Sequence, residues 1–310
     1  MDERSTAVQA ASVEEVADGV FAYVQPDGTW WINNAGFLLT DRGVISVDAC
    51  ATEARTRAYL AAIAEVTDAP VRTLLNTHHH GDHTFGNYLF TDATIVGHEG
   101  VRDGIAAWGQ PWDQPVWTPV DWGEVHLAPP FLTFTDEVTL WLGDQPARFR
   151  HTGTPAHTTN DSYLWLPGQR VLFCGDLAFN GGTPFVVQGS VTGAIDTITQ
   201  QLQPLGAERI VCGHGPVAGP DVLDRTLAYL HFVQQLAEQG RAAGVTPLEA
   251  ARDTDLGEFG ELTDAERLVG NLHRAYAELD GLPRGAPLPD LPTVLADMLA
   301  FNGGPLRSHA

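Results

Sequence analysis

Apolar and polar positions alternate weakly through VFAYVQ near the start of the chain. Two short apolar runs, AGFLLT and VISVDAC, then flank Asp41-Arg42-Gly43, a spacing that predicts two strands about a tight turn. TEARTRAYLAAIAEV, from Thr52 to Val66, is rich in alanine, opens on a residue suited to capping and runs into Asp-Ala-Pro, which predicts a helix. VRTLLN reads as a buried strand, and DATIVGHEGVRDGI as a strand followed by a helix. After His151 the pattern returns: a loop with His157, the strand-like SYLWLPGQRVLFCGD, a glycine-rich loop, a helix around Gly193 to Gln203, and the strand ERIVCGHG. From Pro220 onward, DVLDRTLAYLHFVQQLAEQGRAAG and DAERLVGNLHRAYAEL carry helical periodicity. Strands interleaved with helices, then helices gathered at the end, predict an α/β layered core over residues 1–219 with a helical extension over 220–281. Residues 282–310, rich in proline and glycine, read as a tail packed on the core.

Composition narrows the function classes. With 310 residues, 44% hydrophobic and 18% charged, the chain suits a folded globule with a sizeable core. The formal charge is −22, and all 17 basic residues are arginine. Such acidity disfavours nucleic acid and anionic membrane surfaces, which need a basic footprint. The N-terminus lacks the basic and apolar regions of a secretory signal, and no run of about eighteen apolar residues would span a bilayer. Cys50, Cys174 and Cys212 are far apart, so a disulfide framework is not expected and a cytoplasmic location is the default.

The chemistry concentrates in NTHHHGDHTFGN, Asn76 to Asn87, which holds four of the twelve histidines just after a predicted buried strand. In extended chain His78 and His80 would project to one side and His79 to the other. Gly81 permits a turn into Asp82 and His83. The loop thus offers imidazoles and a carboxylate from two adjacent turns, the donor types that zinc and iron favour. His157, Asp176 and His214 each terminate or follow an apolar run elsewhere. His98, His126, His151, His231, His273 and His309 have no matching role and are read as structural.

THHHGDH with the later His, Asp and His resembles the metallo-β-lactamase superfamily, whose H-x-H-x-D-H motif is complete at His78, His80, Asp82 and His83. The resemblance covers roughly Val13 to Pro220 and implies an αββα sandwich, with a helical C-terminal extension added here. It also implies two divalent metal ions, zinc foremost, with iron or manganese as alternatives. His78, His80 and His157 would hold one, Asp82, His83 and His214 the second, and Asp176 would bridge them. Asp48, ending VISVD, matches the family position that orients a ligand histidine. The resemblance also implies a metal-bound hydroxide as nucleophile, with Asp82 or Asp176 relaying its proton.

That centre suits both acyl hydrolysis and enolate stabilisation. Trp108, Trp112, Trp117 and Trp122 crowd a proline-broken segment, Trp30 and Trp31 precede NNAG, and Phe185 lies in a loop after Asp176. Trp30, Trp31, Trp108, Trp112, Trp117 and Phe185 are the candidate substrate contacts, suited to a flat, carbon-rich ligand. Alternatively, the tryptophans pin a long loop to the core. VDWGEVHLAPPFLTFTD, GSVTG, CGHGPVAGP, DAERLVGNLHRA and AFNGG resemble the metallo-β-lactamase-fold cyclases of aromatic polyketide pathways, of the actinorhodin second/third-ring cyclase/thioesterase type. This resemblance implies aldol ring closure of an aromatic polyketide intermediate on an acyl carrier protein, with thioesterase release, in antibiotic biosynthesis. A homodimer built on the helical extension is compatible with it. The alternative expectation is a plain thioester hydrolase of the glyoxalase II kind, which shares all seven ligands.

Overall fold

The structure is a computed structural model, and it describes residues 10–108 and 116–310, without the side chain of Trp108. Twelve strands form two sheets among the described residues. The first sheet takes β1 (Ser12–Ala17), β2 (Val20–Val24), β3 (Ala35–Thr40), β4 (Gly43–Val47), β5 (Val71–Asn76), β6 (Thr94–His98) and β7 (Leu132–Phe134), in that spatial order. Its first four strands pair antiparallel and the rest parallel. The second sheet runs β12 (Arg209–His214), β11 (Val171–Phe179), β10 (Ser162–Leu166), β9 (Gln145–His151) and β8 (Glu137–Leu142).

Both central faces are covered, so the central strands are buried along their length and a residue's parity decides which layer it joins. Ile45 and Val47 of β4 meet Leu164 and Leu166 of β10 and Phe173 of β11 in the core between the sheets. Val44 turns outward to the layer of Tyr59 and Ile63 on α1 (Glu53–Val66). On the second sheet Tyr163, Trp165 and Leu172 turn outward to the helical layer. Helix, sheet, sheet and helix thus stack as an αββα sandwich, as expected.

α1 begins where Thr52 accepts a hydrogen bond from the Arg55 amide, the cap legible in the sequence. A single turn, α2 (Gly81–Thr84), follows the histidine stretch, and α3 (Glu99–Trp108) follows β6. α4 (Val191–Thr197) and α5 (Gln203–Leu205), joined by a π-turn, precede β12. The C-terminal helices are α6 (Asp221–Ala243), α7 (Pro247–Asp253), α8 (Arg267–Leu279) and α9 (Leu291–Asn302). α9 lies within the proline- and glycine-rich residues 282–310. Asp290 caps it and a proline occupies its first turn, so local composition rich in breakers still encodes a helix. No helix among the described residues is long and apolar enough to cross a membrane.

After α9 the chain turns back over the first sheet's loops. Leu306 bridges Trp117 with backbone hydrogen bonds to Val116 and Thr118, and the Ser308 hydroxyl donates to the Trp30 carbonyl at 3.0 Å. Segments from both ends of the described chain therefore meet above the C-terminal ends of β4, β5, β11 and β12.

Candidate metal centre

β5 ends at Asn76 and delivers Thr77 to His80 to the sheet edge as a series of bends, followed at once by α2. Phe85 packs where a β-carbon on Gly81 would stand, so only glycine lets the turn close. β11 brings Asp176, β12 brings His214, and the loop after β9 brings His157. A β-carbon on Gly213 would collide with Asp176 Oδ1, so β12 approaches that carboxylate closely only because the residue is glycine.

The seven expected residues come together as two overlapping groups. His78, His80, His157 and Asp176 have ligand atoms all within 4.8 Å of one another, and so do Asp82, His83, Asp176 and His214. Asp176 belongs to both. All are buried except the Asp82 carboxylate, whose side chain keeps 12% exposure.

Hydrogen bonds on the outer side of each ring fix which nitrogen faces inward. His157 Nδ1 donates to the Phe185 carbonyl at 2.5 Å, and His214 Nδ1 to the Gly28 carbonyl at 3.0 Å. His83 Nδ1 donates to Asp48 Oδ2 at 2.8 Å, and His80 Nε2 to Gln188 Oε1 at 3.0 Å. The Thr77 hydroxyl donates to Asp48 Oδ2 at 2.8 Å, which leaves its oxygen to accept from His78 Nδ1 at 3.0 Å. The inward atoms are then His78 Nε2, His80 Nδ1, His157 Nε2, His83 Nε2 and His214 Nε2, the last three standing 3.2–3.4 Å from oxygens of Asp82 or Asp176. Outer partners that set the tautomer are the usual support of a metal-binding imidazole.

The inward side has too few hydrogens to satisfy it. His78 Nε2, His83 Nε2 and Asp176 Oδ1 are buried without a hydrogen-bond partner. His80 Nδ1 and His157 Nε2 stand 2.8 Å apart, a favourable contact for two acceptors only if a proton or a cation lies between them. Nitrogen and carboxylate donors in two such clusters fit a pair of divalent cations of the zinc, iron or manganese type.

The charges agree with that fit. Burial is the largest influence on His78 and His80 and pushes both well below the usual imidazole range, so they are neutral. Burial also opposes charge on His83 and His214, yet the neighbouring carboxylates, Asp176 foremost, hold His83 well above its ordinary value and His214 up at about 9. Burial raises Asp82, but His83 and His214 outweigh it and bring it down to about 2; Asp176 falls well below its usual value for the same reason. The carboxylates are ionised, and protons on two imidazoles balance them. Divalent cations would displace those protons.

Asp48 sits at φ 60, in the left-handed region, at the end of β4. Its oxygens also accept the Thr77 amide at 2.8 Å. Burial raises its pKa, while three converging donors engage it as an acceptor. A non-glycine residue held at positive φ beneath a ligand-bearing loop is strain that the surrounding structure sustains.

His79 belongs to neither ligand group, as expected, but alternation is not the reason. The chain bends at 77–80 instead of running extended, so alternation does not apply, and the His79 ring lines the chamber beside the centre, 4.9 Å from His80. Its Nδ1 contacts the Asn160 side chain, with Nδ2 at 3.0 Å. Gln188, which holds His80, was not foreseen; a lone glutamine in a glycine-rich loop carries no spacing signal.

That chamber measures about 460 Å³ and opens from the centre towards α9. Trp30, Trp31, Trp117 and Phe185 line it, together with Phe179 and Leu295. The tryptophans also pack on each other, Trp31 edge-on to Trp117 at 5.1 Å and to Trp122 at 4.9 Å. Trp112 and the side chain of Trp108 lie outside the described residues. Arg267 lines the chamber as well, stacked over Trp30 at 4.2 Å and paired with Asp264 at 2.9 Å.

Comparison with known proteins follows the same geometry. The family model for the metallo-beta-lactamase superfamily matches residues 28–214. The chain is similar to a hydroxyacylglutathione hydrolase of Rhodospirillum rubrum, 32% identical over 195 residues, or 61% of this chain and 64% of that one. It is also similar to the hydroxyacylglutathione hydrolase of Thermosynechococcus vestitus, 29% identical over 50% of this chain and 53% of that one. The chain thus spans less than two thirds of these relatives. A metallo-beta-lactamase from Pontibacter korlensis shares the fold, with a TM-score of 0.60 and 21% identity over 72% of this chain and 99% of that structure. Six of the similar curated proteins are hydroxyacylglutathione hydrolases. These likenesses overturn the expectation of an aromatic polyketide cyclase with a role in antibiotic biosynthesis. The strings behind it were short and lay largely outside the ligand motifs, where a handful of matching residues carries little weight. They favour the thioester hydrolase alternative.

Proposed function

We propose that this chain, which belongs to the metallo-beta-lactamase superfamily, is a metal-dependent hydrolase of thioesters. The observation that carries the reading is the likeness to hydroxyacylglutathione hydrolases over the part of the chain that builds the centre. His78, His80 and His157 would hold one divalent ion and Asp82, His83 and His214 a second, with Asp176 shared; bound there, the pair would supply Lewis acidity and an activated water at neutral pH.

The chain's own residues supply the rest. Asp82, the carboxylate that keeps contact with the chamber, would take the attacking water's proton on an Oδ and return one to the departing thiolate. Water's oxygen joins the acyl carbon as the carbon–sulfur bond breaks, leaving a carboxylic acid and a thiol. Phe185 fixes His157 through its carbonyl and presents its ring to the chamber, so the loop after β11 both orients a ligand and shapes the substrate wall. Trp30, Trp31 and Trp117 form a mutually packed wall that excludes bulk water from the acyl group. Their contact with substrate is part of the proposal.

The test is thiol release from S-lactoylglutathione and from acyl N-acetylcysteamine thioesters by protein loaded with zinc, iron or manganese in turn. Release that stops with a chelator and returns with metal is expected. Fully loaded protein that releases no thiol from any of them overturns the reading.

A further inference from the structure

The hydroxyacylglutathione of the relatives' names has a small polar acyl group on a thiol bearing two carboxylates. The chamber beside this centre has the opposite character. Its walls are Trp30, Trp117, Phe179, Phe185, Leu295 and Met298, contributed by four separate segments of the chain. At about 460 Å³ it lies in the range of pockets that enclose whole small molecules, far beyond the needs of a two- or three-carbon acyl group.

Charge points the same way. Among the described residues Arg267 is the one arginine lining the chamber, the only basic group there outside the histidine centre, and it is only 2% exposed. Its guanidinium is engaged through its terminal nitrogens and its face, with Nε alone lacking a partner: Asp264 lies 2.9 Å away, the Thr183 carbonyl accepts from it at 3.0 Å, and the rings of Trp30 and Phe179 lie 4.2 and 5.3 Å from it. The segment 109–115, GQPWDQP, contains no basic residue, and the whole chain has no lysine. A carboxylate held in the chamber away from the metal centre would lose its hydration and find no uncommitted cation. At a net charge of −22 the protein also repels anionic substrates before they arrive.

We infer that the site takes thioesters with a bulky, uncharged, apolar acyl group, seated in the chamber between the tryptophan wall and α9. The inference rests on the thioester hydrolase reading. The common biological thiols are polar, so the apolar half of such a substrate is its acyl half, and the thiol half extends through the mouth into water. α9 then sets the acyl preference, because Leu291, Leu295 and Met298 face the chamber from one side of that helix.

The experiment compares kcat/KM of metal-loaded protein on acetyl, butyryl, hexanoyl, octanoyl and 2-naphthoyl N-acetylcysteamine thioesters with that on S-lactoylglutathione. Alongside it, quenching of tryptophan fluorescence by octanoate, 2-naphthoate and glutathione is titrated. A rise of about fourfold per added methylene is expected until the chamber fills. S-Lactoylglutathione should be at least tenfold poorer than the octanoyl thioester, and fluorescence should respond to the apolar acids and not to glutathione. Leu291→Arg, at a position 41% exposed, should narrow that gap by placing a cation at the wall. Preference for S-lactoylglutathione, or a rate flat with acyl length, overturns the inference and leaves the hydrolase reading standing. If no thioester is cleaved, the hydrolase reading fails, and the fluorescence titration still decides: binding of glutathione in preference to the apolar acids overturns the apolar site.

Discussion

His83 Nδ1 lies 2.8 Å from Asp48 Oδ2, and neither side chain exposes more than 3% of its surface. The two belong to different elements, one to the turn of α2 and the other to the end of β4. The contact ties the histidine loop to the first sheet. Asp48→Asn keeps the shape but gives up the anionic acceptor. Metal affinity should fall about 10–100-fold with the fold retained, as is typical when a ligand histidine loses its outer carboxylate. Competition with a fluorescent chelator measures the affinity and circular dichroism checks the fold; unchanged affinity would show that Asp48 serves the loop alone.

His78→Ala should halve the metal content, because His78 contributes to one of the two groups. His79→Ala should leave two ions per chain, since His79 is in neither group, and cost about 1 kcal/mol through its contact with Asn160. Elemental analysis after dialysis, with denaturant midpoints, separates the two outcomes. Loss of an ion from the His79 variant would place that ring in the centre.

Gly213→Ala tests the shared carboxylate. The added methyl would press on Asp176, with Cγ at 3.0 Å and Oδ1 closer. Both ions should weaken together, with about 1–3 kcal/mol lost from stability by overpacking. Loss confined to one ion would mean that Asp176 does not join the two groups.

Metal removal should also lower thermal stability. The buried Nε2 atoms of His78 and His83 lack hydrogen-bond partners, and a bound ion would supply one to each. An ion a thousandfold above its Kd stabilises the fold by about 4 kcal/mol. Calorimetry with and without a chelator should show Tm rising with free zinc, and a Tm indifferent to zinc would count against a structural contribution from the centre.

Asp264 gives a pH signature. Burial raises its carboxyl to about 6, against the pull of Arg267. The folded value exceeds the unfolded one of about 4, so between those pH values the native state binds more proton and stability falls as pH rises. With the side chain only 8% exposed, the swing across the window is on the order of 2 kcal/mol. Asp264→Asn should remove that slope, measured as the difference from wild type in urea midpoints at pH 4.5, 5.5 and 6.5. Parallel profiles would refute it.

Much of the centre is written locally. A buried apolar run ending in His-x-His-x-Asp-His needs no tertiary knowledge, and Asp176 and His214 mark themselves by closing apolar strands. Helix α1 announces itself through Thr52 and the proline beyond it. What escaped were features decided by distant partners. His79 packs on Asn160 beside the chamber, a position set by the bend before α2 and not by strand alternation. Leu306 and Ser308 pair with Trp117 and Trp30, nearly two and three hundred residues away, and no pattern near them forecasts it. Short strings in the helical region suggested a reaction, but those residues pack helices and line a chamber, and they leave the chemistry to the centre.

The wall formed by α9 and Leu306 has a bearing on the order of events at the ribosome. Every residue of the two ligand groups lies at or before His214, whereas Leu295 follows roughly eighty residues later. At about 5–20 residues per second the ligand-bearing strands are made several seconds before the apolar wall exists. A growing chain therefore presents its histidines to the ion pool through an open door, and the hydrophobic side of the site shuts behind them.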